Sequence, residues 1–288
     1  MTILVTGATG NVASALIPTL LAKGEAVRAM VRDESKAQGL RDQGAGVVIA
    51  DMDRPETLDA AVAGADKIYF LIGNGPNGAT QGLNLVAAIQ RSGGNPHVVR
   101  HGMFGDPRSR IAEHHREIDA ALAATDLAVT TLRPTFFTQN VMAAIPTVTQ
   151  MGQIYWAAGE AKIAMVDVRD IAESAAAVLT SDGHEGKSYV LTGPEAVSFT
   201  EVASALSGAI GKDVAYIDVP NEALVGSMTE MGFPEWTALG YAELMDGFKA
   251  GWADAPHDGV QTLTGHAARS INDFARDFAG YFGAPVPV

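Results

Sequence analysis

The sequence predicts an α/β protein: a doubly wound parallel sheet followed by a smaller C-terminal lobe. Three observations carry this. Short β-branched runs alternate with amphipathic stretches through the first half, the pitch of strand–helix–strand units. The expected strands read as continuous apolar runs, as strands buried on both faces do. A glycine-rich turn stands at the first strand–helix junction. The chain has 288 residues, enough for one large α/β domain with an appendage.

The expected strands are Ile3–Thr6, Ala26–Val31, Gly46–Ala50, Ile68–Ile72, His97–Arg100 and Ala128–Leu132. Between them, helices are expected at roughly 11–23, 34–43, 55–63, 79–93 and 110–125. Val12, Leu16 and Leu20 put one apolar stripe on the first helix, which Pro18 should kink. Asp53-Arg54-Pro55-Glu56 has the form of a capping box opening the third helix. Beyond residue 135, Gly152–Trp156 and Lys162–Val166 read as short strands around a turn at Gly159-Glu160. Ile171–Leu179 reads as a helix, and Ser188–Leu191 and Val214–Val219 as strands. Ser198-Phe199-Thr200-Glu201 and Ser270-Ile271-Asn272-Asp273 are expected to cap two further helices.

Composition narrows the function. Apolar residues make up 47% and charged residues 18%, which excludes disordered and fibrous classes. A net charge of −13 repels phosphate backbones and anionic lipids, so neither nucleic acid nor a membrane is expected as the partner. There is no cysteine, hence no disulfide, thiolate nucleophile or Cys-ligated zinc. The histidines show no metal-binding spacing, and no metal is expected. Met1–Gly7 lacks the basic-then-apolar order of a secretory signal, and no apolar run approaches a membrane span, so a cytoplasmic location is expected.

The glycine turn is Thr6-Gly7-Ala8-Thr9-Gly10-Asn11-Val12-Ala13. Gly7 permits the sharp turn, Gly10 lets backbone N–H groups approach a pyrophosphate, and Ala13 lets the helix lie close on the strand. The helix N-terminus then offers unpaired donors to the anion. At the end of the second strand an acid suits a ribose 2′-hydroxyl and an arginine suits a 2′-phosphate. Arg32, roughly 25 residues after Gly7, is expected to clamp a 2′-phosphate with Lys36 beside it, which indicates NADP(H). Asp33 leaves NAD use open.

These residues resemble the NmrA-like branch of atypical short-chain dehydrogenases. Met1–Ala13 is similar to its nucleotide-binding signature and Val31–Ala37 to its VR-x-x-x-K-A stretch. Leu132–Asn140, Asp167–Ala172, Gly183–Gly193 and Leu263–Phe274 resemble its later blocks, so the likeness runs along the whole chain. The resemblance implies a Rossmann domain over residues 1–150, its sheet completed by parts of 160–192. It implies a substrate lobe over 193–288 with contributions from 136–160. Within the family the chain looks most like bacterial NADPH-dependent quinone and dye reductases. The resemblance further implies Gly7, Thr9, Gly10, Asn11 and Val12 at the phosphates and Asp51 at the adenine. It places Ile72, Gly73, Asn74, His101 and Gly102 beside the nicotinamide, with Pro134, Phe136 and Phe137 over its carboxamide.

No tyrosine is followed four residues later by lysine, so the usual Tyr-x-x-x-Lys dyad is absent. His115 and Asp119 share a helix face, where the carboxylate would orient the imidazole and raise its pKa for proton donation. His114 or a water could serve instead, and solvated surface charge is the plain alternative. Asn74, Phe137, Trp156 and Trp236 are candidates to line a substrate pocket, with lobe packing the alternative for the aromatics. A dyad-free site suits a conjugated acceptor such as a quinone, whose reduction depends mostly on hydride placement. The expectation is therefore an NADPH-dependent reductase of a quinone-like small molecule. A non-catalytic NADP(H)-binding redox sensor and an isomerase or lyase stand as alternatives. The sequence is compatible with a homodimer.

Overall fold

The structure is a computed structural model; it describes residues 1–105 and 108–283. Nine strands are described: β1 (Thr2–Val5), β2 (Ala26–Val31), β3 (Gly46–Ile49), β4 (Lys67–Phe70), β5 (His97–His101), β6 (Val129–Pro134), β7 (Gln153–Trp156), β8 (Ser188–Leu191) and β9 (Ala215–Asp218). The α-helices are α1 (Asn11–Ala22), α2 (Gln38–Asp42), α3 (Leu58–Val62), α4 (Gly78–Arg91), α5 (Arg110–Ala123), α6 (Ile145–Met151), α7 (Val168–Leu179), α8 (Phe199–Ile210), α9 (Asn221–Glu230), α10 (Glu235–Lys249), α11 (Gly259–Thr264) and α12 (Ile271–Phe278). Among the described residues no helix is long and apolar enough to cross a membrane.

The main sheet has seven strands in the order β3-β2-β1-β4-β5-β6-β8. The pairs from β3 to β6 are parallel. The chain steps from β1 outward to β3, then returns to lay β4 on β1's other side. The order reverses between β1 and β4, where open α/β sheets gather their ligands. The chain forms two compact units: one of residues 1–103, 111–133 and 168–189, the other of 104–110, 134–167 and 190–288.

In the first unit, α3, α4 and α5 cover one sheet face. Leu4, Ile68, Phe70 and Val98 meet Leu58, Leu85, Ile89, Ile118 and Leu122 in one apolar cluster. On the other face α1 packs on α7. A Cβ at Gly82 would lie 2.2 Å from Ile118 Cδ1, so α4 and α5 meet at a glycine. The second unit holds a two-stranded parallel sheet of β7 and β9, with α8 against it and α9 packed on α10.

Several sequence expectations need correction. The stretches at 34–43 and 55–63 each begin as a 3-10 turn, at Glu34–Lys36 and Pro55–Thr57, before a five-residue helix. Asp53 does not cap: Arg54 holds the cap position without a side-chain bond, and the Asp53 carboxylate accepts from Asn77 and Gln81 instead. Helix α1 contains Pro18 and runs to Ala22, in line with the span expected for it. Lys162–Val166 is not a strand partner of β7. Ile163 and Val166 form isolated bridges to Val197 and Phe137, and the run is apolar because it is buried. The boxes at Ser198–Glu201 and Ser270–Asp273 form in full. No sequence expectation of a helix falls on α6 or on α9 to α11.

Candidate functional site

The glycine turn is held from below by Thr6. Its hydroxyl donates to Leu71 O at 2.8 Å and accepts from Leu71 N at 2.8 Å, tying the end of β1 to the end of β4. Gly7 then takes φ +61°, open to glycine at little cost. Gly10 N donates to Gly7 O at 2.9 Å, closing the turn. Gly10 is also the N-cap of α1, which has no side-chain cap and no acid in its first turn. Ser14 N is bonded to Gly10 O, so the N–H groups of residues 11–13 are left to an outside acceptor. Thr9 and Asn11 are exposed at this corner, while Val12 and Ala13 are buried against the sheet.

Arg32 follows β2 directly, is exposed, and makes no hydrogen bond or ion pair with a described residue. Asp33 turns the chain by accepting from Ser35 N at 2.8 Å, which sets Lys36 one short turn on, also exposed. At the end of β3, Asp51 is half-buried and its carboxylate accepts from Asp53 N at 3.1 Å. After β4, Ile72 is buried while Gly73 and Asn74 are exposed. A Cβ at Gly78 would lie 2.9 Å from His114 Nδ1 and 3.0 Å from Gly73 O, so glycine lets α4 start close against this loop and α5. Gly78 had no sequence signal.

The end of β5 carries a buried polar network. Tyr69 Oη lies 2.6 Å from His101 Nδ1, with the rings edge to face. Burial drives the Tyr69 pKa up, so its hydroxyl keeps its proton and donates. Burial, helped by Arg100, pushes His101 down to about 3. Arg100 is fully buried. Its guanidinium donates to His101 O at 2.5 Å and to Asp119 Oδ1 at 3.3 Å, and lies 5.1 Å over the Phe70 ring. Asp119 also takes Arg133 at 3.2 Å, and Arg133 reaches Ser188 Oγ and Met103 O. Gly102 N donates to Leu132 O, and a Cβ there would meet Thr131 Cγ2 at 2.9 Å.

The expected pairing of His115 with Asp119 is therefore not made. Asp119 neutralises two arginines, and His115 Nδ1 faces Arg100 at 3.0 Å. Burial first, and Arg100 second, lower the His115 pKa well below its ordinary value, opposite to the expected rise. The physical reason is that a buried guanidinium cannot shed its charge, whereas an imidazole can; the carboxylate goes to the group that needs it.

In the second unit Pro134 and Phe136 are buried and Phe137 is partly exposed. Phe136 packs edge-on against Trp156, Phe199 and Phe248. Trp156 stacks on Phe199 and its Nε1 donates to Met245 Sδ at 2.9 Å. As placed, Trp156 is a core residue, a correction to its expected place in a pocket lining. Trp236 is half-buried beneath the Arg110 guanidinium, 6.0 Å from its ring centre, and Glu243 holds Arg110 with both carboxylate oxygens.

A parallel sheet reversing at β1/β4, with an uncapped helix behind a glycine turn, defines the dinucleotide-binding Rossmann class. Within it, the chain belongs to the NmrA-like family, which residues 1–252 match. It is 34% identical over 284 residues to an NAD(P)H azoreductase of Xenophilus azovorans, covering 98% of this chain and 99% of that one. It is 30% identical over 274 residues to quinone oxidoreductase 2 of Escherichia coli, covering 93% and 96%. Among solved structures, an NADPH-dependent quinone oxidoreductase of Escherichia coli complexed with NADPH matches with a TM-score of 0.86 at 28% identity, covering 96% and 99%. The Citrobacter sp. triphenylmethane reductase complexed with NADP(H) matches at 0.83 and 31% identity, covering 97% and 100%.

Proposed function

We propose that this protein is an NADPH-dependent reductase that delivers hydride to a quinone-like or otherwise conjugated small molecule. The observation that carries it is the near full-length likeness to reductases of azo compounds, quinones and triphenylmethane dyes. The local geometry fits the cofactor. The N-terminus of α1 carries no side-chain cap, and Arg32, exposed and without a hydrogen bond or ion pair to a described residue, is placed to meet a 2′-phosphate. In this reading the N–H groups near Gly7, Thr9, Gly10, Asn11 and Val12 hold the pyrophosphate, and Arg32 with Lys36 holds the 2′-phosphate. Asp51 borders the adenine. Within the first unit, Ile72, Gly73, Asn74, His101 and Gly102 border the nicotinamide end. When bound, NADPH supplies a hydride from its reduced nicotinamide. Asn74 is offered to the acceptor. The acidic surface suits a small-molecule partner in the cytoplasm and disfavours nucleic acid.

The test is oxidation of NADPH and NADH by purified protein over a panel of quinones, azo dyes and triphenylmethane dyes. Turnover with NADPH and at least one of these is expected. Tight NADPH binding without turnover on any would overturn the reductase reading and favour a sensor.

A further inference from the structure

Arg100 fixes more than the local charge balance. A guanidinium has only donors. His115 Nδ1, 3.0 Å from Arg100 Nη2, must therefore accept, and the ring's single proton sits on Nε2. Every other charge facing the ring works against a second proton. Arg100 and His101 on β5, His114 on the same helix and Arg133 on β6 all lower its basicity, and burial does so most. Asp119, four residues along the same helix, is engaged by the two arginines. Arg100 itself stays charged at neutral pH, although burial brings it down to about 10. His115 is buried, and among the described residues nothing accepts from Nε2.

We propose that His115 serves as a neutral Nε2–H donor to the heteroatom of the acceptor that gains charge, with Arg100 the positioning residue that locks this tautomer. The proposal rests on the reductase reading above. A quinone Q that takes a hydride from a reduced nicotinamide becomes QH⁻, its two electrons arriving with that hydride. The negative charge settles on oxygen, where a fixed N–H dipole stabilises it. A proton from solvent then completes QH₂. His115 begins and ends with one ring proton, so no imidazolium is needed.

The first test reads the protein without cofactor. Long-range ¹H–¹⁵N correlation on ¹⁵N-histidine protein should show His115 as the Nε2–H tautomer, unchanged from about pH 5 to about pH 8, where an ordinary histidine titrates. Arg100→Met should release the lock, giving mixed tautomers. The second test is kinetic and does not need Arg100 altered. His115→Phe should lower kcat roughly 100-fold, the usual cost of one lost oxyanion donor. His115→Gln, a neutral N–H donor, should recover most of that loss, and wild-type kcat should show no ionisation between about pH 5 and pH 8. A His115 ring that titrates near about 6.5, or a His115→Gln variant as slow as His115→Phe, overturns the proposal. If the wild type reduces no acceptor, the donor role falls with the reductase reading, and the spectrum alone then reports whether the lock exists.

Discussion

Arg32→Ala should separate the two pyridine nucleotides, and the structure sets the expected size. Arg32 lies on the surface just past β2 and makes no hydrogen bond or ion pair with a described residue, so its loss should change folding stability by less than about 0.5 kcal/mol. Whatever the variant loses, it loses in binding. A hydrogen bond to a charged group contributes about 1.5–3 kcal/mol, or about 10- to 100-fold in Kd. NADPH should weaken by that factor, and NADH, which has no 2′-phosphate, by less than about threefold. Lys36 lies one short turn further on, so Lys36→Ala should cost NADPH roughly 2- to 5-fold, a more solvated contact. Isothermal titration of each nucleotide into wild type and variant measures this, with a urea midpoint to check the fold. Equal losses for both nucleotides, or no loss for NADPH, would refute the assignment of Arg32 to the 2′-phosphate.

Further outcomes follow from the same geometry. Gly10 has φ −86° and ψ 169°, which alanine adopts freely, so Gly10→Ala should fold with a loss below about 1 kcal/mol yet weaken NADPH more than about 10-fold. Gly7→Ala should instead destabilise the fold by about 1–2 kcal/mol or more, because its φ is +61° and its Cβ would press on Leu71 Cδ2 at 2.8 Å; paired titration and denaturant melts separate the two effects. His101 is held near 3 and His115 well below its ordinary value, so both are protonated on unfolding but not when folded. Stability should therefore be intact above about pH 6.5 and fall as pH drops below it, by about 1.4 kcal/mol per pH unit for each ring; a urea midpoint indifferent to pH from 7 to 5 would contradict this. Asp119→Asn should cost about 2–3 kcal/mol, since it leaves the buried Arg100 charge without its carboxylate, somewhat less than a fully buried pair because Asp119 keeps 23% of its side chain exposed. Thermal melts at neutral pH would show it.

What is local in the chain was legible in it. The parallel α/β rhythm, the glycine turn and the boxes at Ser198 and Ser270 depend on residues within a few positions of one another. The third box failed for the opposite reason: the Asp53 carboxylate found better donors in Asn77, the N-cap of α4, and Gln81 within it. Likewise β7 paired with β9, about 60 residues on, rather than with the nearby apolar run.

The amino-acid order alone determined the class of fold, the glycine turn and the exposed arginine behind β2, because turns, caps and strand periodicity are short-range physics. Tertiary structure decided the protonation of the site. Spacing placed His115 and Asp119 on one helix face, but Arg100 from β5 and Arg133 from β6 took the carboxylate and left the imidazole neutral. Which charges meet in a low-dielectric interior depends on how distant strands are brought together, and no local pattern encodes that.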